Sequence, residues 1–205
     1  MSINKYQKQS IKKYDKIATN YDQTLEGKAT AKSKVKILEM VEPADGDKVL
    51  DVGCGNGSLI GAVKKKANIE AYGVDVSSGM IEECRERFKE ITFQIAVCEN
   101  LPFEDEELDI ITMNCVLHHL KDPQAFYREA HRVLKPNGTL LVGELWYPAV
   151  VKQFVDWIIL PLLRAGDNKL FSHGKLKRMA TDNGFSLGRI YKKGSVQIVE
   201  AIKEL

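Results

Sequence analysis

Three glycines spaced by single residues, Gly53, Gly55 and Gly57, follow directly on the β-rich run Val49-Leu-Asp-Val52 and precede a helical pattern that begins at Ser58. A glycine turn between a strand and a helix lets a ligand approach the backbone closely, beside the positive end of the helix. The next β-rich run, Glu70-Ala-Tyr-Gly-Val-Asp75, ends on a carboxylate. An acid at that place can accept hydrogen bonds from both hydroxyls of a ribose. Downstream, His118 and His119 follow the fourth β-rich run, Leu108-Asp-Ile-Ile-Thr-Met113. Imidazole titrates near neutral pH, so either ring can act as a general base. Cys54, Cys84, Cys98 and Cys115 form no close pairs, and with His118, His119, His131 and His173 they give no metal-ligand spacing. They read as free thiols of a reducing compartment.

The elements that must hold these groups alternate. Strands are expected at 47–52, 70–75, 91–97, 108–113 and 139–143, with helices from Ser58 to about Ala67, after Ser77 or Ser78, and from Asp122-Pro123, an N-cap followed by proline at the first helical position. Strands joined by crossover helices imply a parallel sheet with right-handed connections. Ser186–Lys193 and Ser195–Ala201, joined at Gly194, read instead as an antiparallel hairpin on the sheet edge. The expected fold is therefore α/β, a doubly wound Rossmann-like sheet, mostly parallel, with a helical insertion at 144–184 before the last two strands. The 205 residues fit one domain, 1–205, whose first 41 residues form an N-terminal helical segment.

Charge and hydropathy narrow the partners. A net charge of +2 lacks the basic excess that by itself points to nucleic acid, so none is expected as a partner. Residues 1–41 carry nine Lys against four acids, and 99–109 carry six acids and no base; both read as solvated surfaces. The longest apolar run, Trp157–Leu163, is seven residues, against about 20 for a membrane-spanning helix. With no apolar core in the first ten residues either, the expected location is the cytoplasm. In the insertion, Val151, Phe154, Val155, Ile158, Ile159 and Leu162 follow one helix stripe, with Trp157 outside it. Core packing, a lid over a substrate and membrane-surface contact remain open for this stripe. Nothing in the sequence speaks to oligomeric state.

Three classes use such a cofactor end: a nicotinamide oxidoreductase, an S-adenosylmethionine (SAM) methyltransferase and a non-catalytic nucleotide-binding module. The first prefers Gly-x-Gly-x-x-Gly, whose last position here is Ser58. Asp51, two residues before Gly53, favours the second. SAM presents an ammonium group near that loop, whereas an acid there repels a pyrophosphate.

Four stretches carry a resemblance: Tyr14-Asp-Lys-Ile-Ala-Thr-Asn-Tyr-Asp22, the glycine loop, Glu99-Asn-Leu-Pro-Phe103, and Val116-Leu-His-His-Leu120 with Arg132-Val-Leu-Lys-Pro-Asn-Gly138. In these the chain resembles class I SAM-dependent methyltransferases of the methyltransferase type 11 group, akin to ubiquinone/menaquinone-biosynthesis methyltransferases. The resemblance implies a seven-stranded sheet ending in an antiparallel hairpin, SAM as cofactor and S-adenosylhomocysteine as product. It implies that Asp51, Gly53 and Gly55, with Cys54 in the same loop, hold the methionine part. Asp75 would hold the ribose, Val76 beside it is also counted as cofactor-binding, Met80 would lie against the adenine, and Tyr21 would close over the cofactor. The family pattern Gly-Asp-Ala-Glu-x-Leu-Pro-Phe reads here Ala96-Val-Cys-Glu-Asn-Leu-Pro-Phe103, so Val97 replaces the acid that meets the adenine amine. Glu99, Asn100 or backbone near Cys98 remain as substitutes. Asn114-Cys-Val-Leu117 sits where amino-methylating enzymes carry Asn-Pro-Pro-Tyr; only the Asn agrees, and Asn114 is a candidate to touch the cofactor, while His118 and His119 fall where the family's substrate meets the methyl group. The expected activity is methyl transfer to a small, partly apolar molecule; the alternative is a SAM-binding module without catalysis.

Overall fold

Residues 5–146 and 170–205 are described by a computed structural model; Trp157 and the apolar stripe around it lie outside them. Among the described residues seven strands form one sheet: β1 (Lys48–Val52), β2 (Glu70–Asp75), β3 (Thr92–Ile95), β4 (Leu108–Asn114), β5 (Leu134–Leu145), β6 (Phe185–Lys193) and β7 (Val196–Lys203). Their order is β3-β2-β1-β4-β5-β7-β6. The first five run parallel, and β7 is antiparallel to both β5 and β6. This is the sheet expected, including the terminal hairpin, which turns at Gly194. The order reverses between β1 and β4, and in open α/β sheets the crevice at such a reversal is where ligands bind.

Among the described residues the helices are α1 (Lys5–Ile17), α2 (Leu25–Met40), α3 (Ser58–Val63), α4 (Ser78–Arg87), α5 (Pro123–Val133) and α6 (His173–Thr181), with 3-10 turns at Ala18–Gln23 and Leu117–His119. Two cores result. On one sheet face α5 and α6 bury Phe126, Tyr127, Leu176 and Met179; on the other, α2, α3 and α4 bury Ile37, Ile60 and Ile81. Helix α5 shows why the sequence folds so. Asp122 accepts the Gln124 N–H at 3.1 Å, Pro123 takes the first helical position, and Phe126, Tyr127, Ala130 and Val133 form one fully buried stripe. Each of the larger side chains contributes about 1.5–3 kcal/mol on burial, and the cap about 1 kcal/mol.

Strand β3 is shorter than expected, and the hairpin strands shift by one or two residues at their ends; the larger differences lie at α3 and β5. Helix α3 stops at Val63, four residues early. The N–H groups of Lys65 and Lys66 bond three residues back, to Ala62 and Val63, which tightens and ends the last turn. The Lys64 and Lys66 ammonium groups then take the carbonyls of Ile69, Leu38 and Val41. Strand β5 begins at Leu134, because the chain bulges through Lys135-Pro-Asn-Gly138 between the pairs Leu108–Leu134 and Ile110–Thr139. Residues 144 and 145 therefore belong to β5 and not to the insertion, of which 173–181 is helical as expected.

Candidate active site

The glycine loop and the acid of β2 form one hydrogen-bonded unit. Gly53 N and Cys54 N both donate to the Val74 carbonyl, at 2.8 and 3.0 Å, and Gly55 N donates to Asp75 Oδ2 at 2.9 Å. Gly53 is left-handed, with φ of 66°, and a Cβ there would stand 2.3 Å from Val116 Cγ2. Both facts require glycine. The second oxygen of Asp75 accepts the Ser77 N–H at 2.9 Å. Burial raises the Asp75 pKa above the ordinary carboxylate value, and the donated amides of Ser77 and Gly55 oppose it. A carboxylate has about four lone-pair sites, so both oxygens keep acceptor capacity toward the cleft.

Asp51 lies beneath this unit and not on the cleft wall. It is 2% exposed, and its Oδ1 accepts the Thr112 hydroxyl at 2.7 Å. Burial pushes its pKa up to about 7, against the Thr112 bond and the charge of Lys34. Lys34 itself was not singled out by sequence, because it lies among the nine lysines of the first 41 residues. It donates to Ser58 Oγ at 2.9 Å and sits 5.1 Å over the Tyr21 ring, and burial lowers its pKa.

A cleft opens at the β1–β4 reversal. It brings together Tyr21, Gly53, Gly55, Asp75, Val76, Met80, Cys98, Asn114 and His119. Asp51, Cys54, Glu99, Asn100 and His118 do not line it, and Tyr14, Cys115, Val116 and Leu120 are added to the wall. Cys115 is left-handed, with φ of 58°, uncommon for a residue with a Cβ, and its N–H donates to Gly143 at 2.8 Å.

The N-terminal segment covers the opening. Tyr21 is seated by a close approach: a Cβ at Gly27 would stand 2.1 Å from the Tyr21 carbonyl oxygen. Its hydroxyl lies 3.4 Å from Thr30 Oγ1, and burial pushes its pKa up to about 12. Tyr14 OH lies 3.3 Å from His119 Nε2, with the two rings edge to face at 5.8 Å. Behind His119 is the His118 ring, 4.1 Å away between centroids. His118 Nδ1 is 2.8 Å from Oε2 of Glu144, which is fully buried. The register Asn114–Gly143 between β4 and β5 brings this pair together.

Residues 50–142 match the methyltransferase domain family. Over 158 residues, 75% of the chain, the sequence is 33% identical to the demethylmenaquinone methyltransferase of Thermotoga maritima and spans 69% of that protein. The chain belongs to the SAM-dependent methyltransferase family. This methyltransferase is also 35% identical over 103 residues, 47% of its length, to the ubiquinone/menaquinone biosynthesis C-methyltransferase UbiE of Campylobacter jejuni, of which it spans 44%. A SAM-dependent methyltransferase of known structure from Thermotoga maritima shares the fold, with a TM-score of 0.76 at 20% identity over 93% of this chain and 98% of that one.

The cofactor of the methyltransferase is SAM, and the cleft fits it. Gly53 leaves bare backbone where a side chain would close the wall, Asp75 keeps free acceptor capacity for hydroxyl donors, and the Tyr14 and Tyr21 rings, 6.1 Å apart, suit a cationic ligand. Near Val97, Cys98 reaches the wall, while Glu99 turns its Oε2 toward the Cys98 thiol at 3.3 Å.

The thiols divide accordingly. Cys98 and Cys115 line the cleft, whereas Cys54 and Cys84 lie behind the loop, both within reach of the Gly55 carbonyl, at 3.8 and 3.0 Å. Burial raises the pKa of Cys98 and of Cys115 well above the ordinary thiol value, so alkylation is slow and best followed at alkaline pH. Saturating SAM is expected to protect Cys98 or Cys115 from a small maleimide in peptide mapping and to leave Cys54 and Cys84 unchanged. Equal labelling of Cys98 and Cys115 with and without SAM would contradict this placement.

Proposed function

We propose that this methyltransferase alkylates a ring carbon of a small, partly apolar, hydroxylated aromatic acceptor of the quinol type. The observation that carries the reading is the buried His118–Glu144 pair, 2.8 Å between Nδ1 and Oε2, packed against the cleft-lining His119. The names of the two curated relatives, both quinone-pathway methyltransferases, agree with it.

When bound, SAM supplies an electrophilic methyl group on a sulfonium. What remains for the chain is to bind the cofactor, to hold the nucleophile in line and to take its proton, since orientation carries much of such a rate. Asp75 would accept from the ribose, Gly53 and Gly55 would hold the methionine part, Met80 would lie against the adenine with Val76 and Cys98 on the same wall, and Lys34 and Asp51 set the charge under the loop. Tyr14 and Tyr21 exclude water from above. An aromatic carbon becomes nucleophilic when its neighbouring hydroxyl loses a proton, and His119, on the cleft wall, is placed to receive it. Glu144 holds the His118 ring through Nδ1, 2.8 Å from its Oε2, and His118 backs the cleft-lining His119 at 4.1 Å between ring centroids. His119, fixed by Tyr14, presents the second imidazole to the cleft.

The test is turnover with SAM and a panel of hydroquinones, phenols and amines, read by mass and by the position of the new methyl group. Carbon-methylated hydroquinone is the expected product. His118→Asn and His119→Asn together are expected to lower its formation roughly 10²–10⁴-fold with SAM binding unchanged. Methylation of amines alone would refute the acceptor class, and full activity of the double variant would refute the base.

A further inference from the structure

Asp15 has no part in the reading above, yet it is the residue by which the N-terminal helix is fastened to the cofactor site. Its Oδ1 accepts the Ser77 hydroxyl at 2.6 Å and the Gly79 N–H at 3.1 Å, both at the start of α4. The fit there is close, since a Cβ on Gly79 would stand 3.0 Å from Asp15 Cα. Ser77 is shared between two acids: its hydroxyl goes to Asp15, and its N–H goes to Asp75 Oδ1 at 2.9 Å. The next residue toward the N-terminus, Tyr14, makes the contact with His119 on the acceptor side. Two adjacent residues of α1 therefore touch opposite ends of the cleft.

We propose that Asp15 is a positioning residue that couples occupation of the ribose acid Asp75 to the docking of α1, and so to the placing of Tyr14 against His119. This rests on the assignment of Asp75 to the cofactor ribose. The physical cause is electrostatic. Asp15, exposed at the rim, and Asp75, withdrawn from solvent, are like charges flanking one serine, so each weakens the other's hold on Ser77. Burial is the main reason that the Asp75 pKa is raised, the amides of Ser77 and Gly55 oppose it, and the Asp15 charge adds to it. Two ribose hydroxyls donated to Asp75 spread its charge and lower the repulsion. The Asp15–Ser77–Gly79 contact then tightens, and α1 is held over the cleft. By linkage the effect is reciprocal: whatever cofactor binding does for the docking of α1, the docking of α1 does for cofactor affinity.

Asp15→Ala leaves the Ser77 cap of α4 in place, since Ser77 Oγ still accepts the Met80 N–H, at 3.2 Å. The variant therefore tests the fastening and not the helix. SAM binding by calorimetry, SAM dissociation by stopped flow and deuterium uptake over residues 11–21 are measured on the wild-type chain, Asp15→Ala, Asp15→Asn and Asp75→Ala. Wild-type residues 11–21 are expected to gain protection with SAM. Asp15→Ala is expected to lose that gain, to bind SAM at least fivefold more weakly and to release it faster. Asp15→Asn, which keeps an acceptor oxygen without the charge, is expected to fall between the two and serves if the alanine variant does not fold. If Asp75→Ala weakens SAM binding while both Asp15 variants match the wild type in affinity and protection, the coupling is refuted and the cofactor assignment stands. If Asp75→Ala also binds SAM normally, the ribose assignment itself fails, and the coupling with it.

Discussion

Asp75→Ala is expected to lower SAM affinity by a hundredfold or more. Two hydrogen bonds to a charged acceptor are removed, each worth roughly 1.5–3 kcal/mol, and every 1.4 kcal/mol is about tenfold. The loss extends beyond the ligand, because Gly55 N and Ser77 N each give up a partner at 2.9 Å and the loop loses its tie to β2. Asp75→Asn keeps an acceptor and the shape, and is expected to lose less. The raised pKa of Asp75 gives the pH dependence its sign. The charged form is the better acceptor, so SAM affinity falls as the pH is lowered through that pKa, and the alanine variant lacks this dependence. Calorimetry between pH 4.5 and 8 on folded protein measures both. Unchanged affinity in Asp75→Ala would remove the acid from the cofactor site.

The second large effect is on stability. Asp51 is 2% exposed, and its pKa is raised from 3.8 to about 7. A carboxyl whose native pKa lies above its unfolded value contributes stability that is full below the unfolded pKa and is lost as the pH rises through the native one. The wild-type chain therefore loses stability between about pH 4 and pH 7, and above that carries an ionised carboxylate in its interior. At 1.36 kcal/mol per unit the shift corresponds to at most about 4 kcal/mol. Asp51→Asn still accepts the Thr112 hydroxyl and cannot ionise. It leaves the Lys34 ammonium without its attraction to Asp51, which reduces the gain. We expect the variant to be more stable than the wild type at pH 8.5 by roughly 1–2 kcal/mol, and so to melt higher, and to lose that advantage by pH 5. Thermal melts across that range decide it. A constant offset between the two proteins would mean that Asp51 does not titrate there. SAM affinity at pH 8.5 is expected to fall in the same variant, because the charge under the loop is gone.

How far the sequence alone carried the fold follows from the range over which each feature is specified. The strand–glycine–helix turn and the acid ending β2 are local patterns, so Gly53, Gly55 and Asp75 could be placed from residue types and spacing. The terminal hairpin was equally legible, from two β-rich runs joined at Gly194. Features made by pairing distant segments were not. Glu144 meets His118 across 26 residues, and Asp15 meets Ser77 across 62. Only the β4–β5 register and the docking of α1 on α4 bring them together. Direction was also illegible. Asp51 and Asp75 each lie near the C-terminal end of a parallel strand, but one points beneath the loop and the other toward the cleft. The same holds for His118 and His119, neighbours in the chain, of which one faces Glu144 and the other the cleft. Helix α3 ended early because lysine side chains capped backbone carbonyls of other segments, which no local pattern records.

The strand order β5-β7-β6 has a consequence for biosynthesis. β6 is made before β7 yet lies outside it, and β7 is buried along nearly its whole length. A released chain that ends at Lys193 thus has β6 with no strand to pair with, and the flank of β5 is open as well. Leu187 and Ile190, partly exposed even in the mature sheet, are then fully bare. Unpaired edges of this kind are templates for intermolecular pairing. A chain truncated between residues 194 and 203 is therefore expected to aggregate, although it contains every residue of the cofactor cleft.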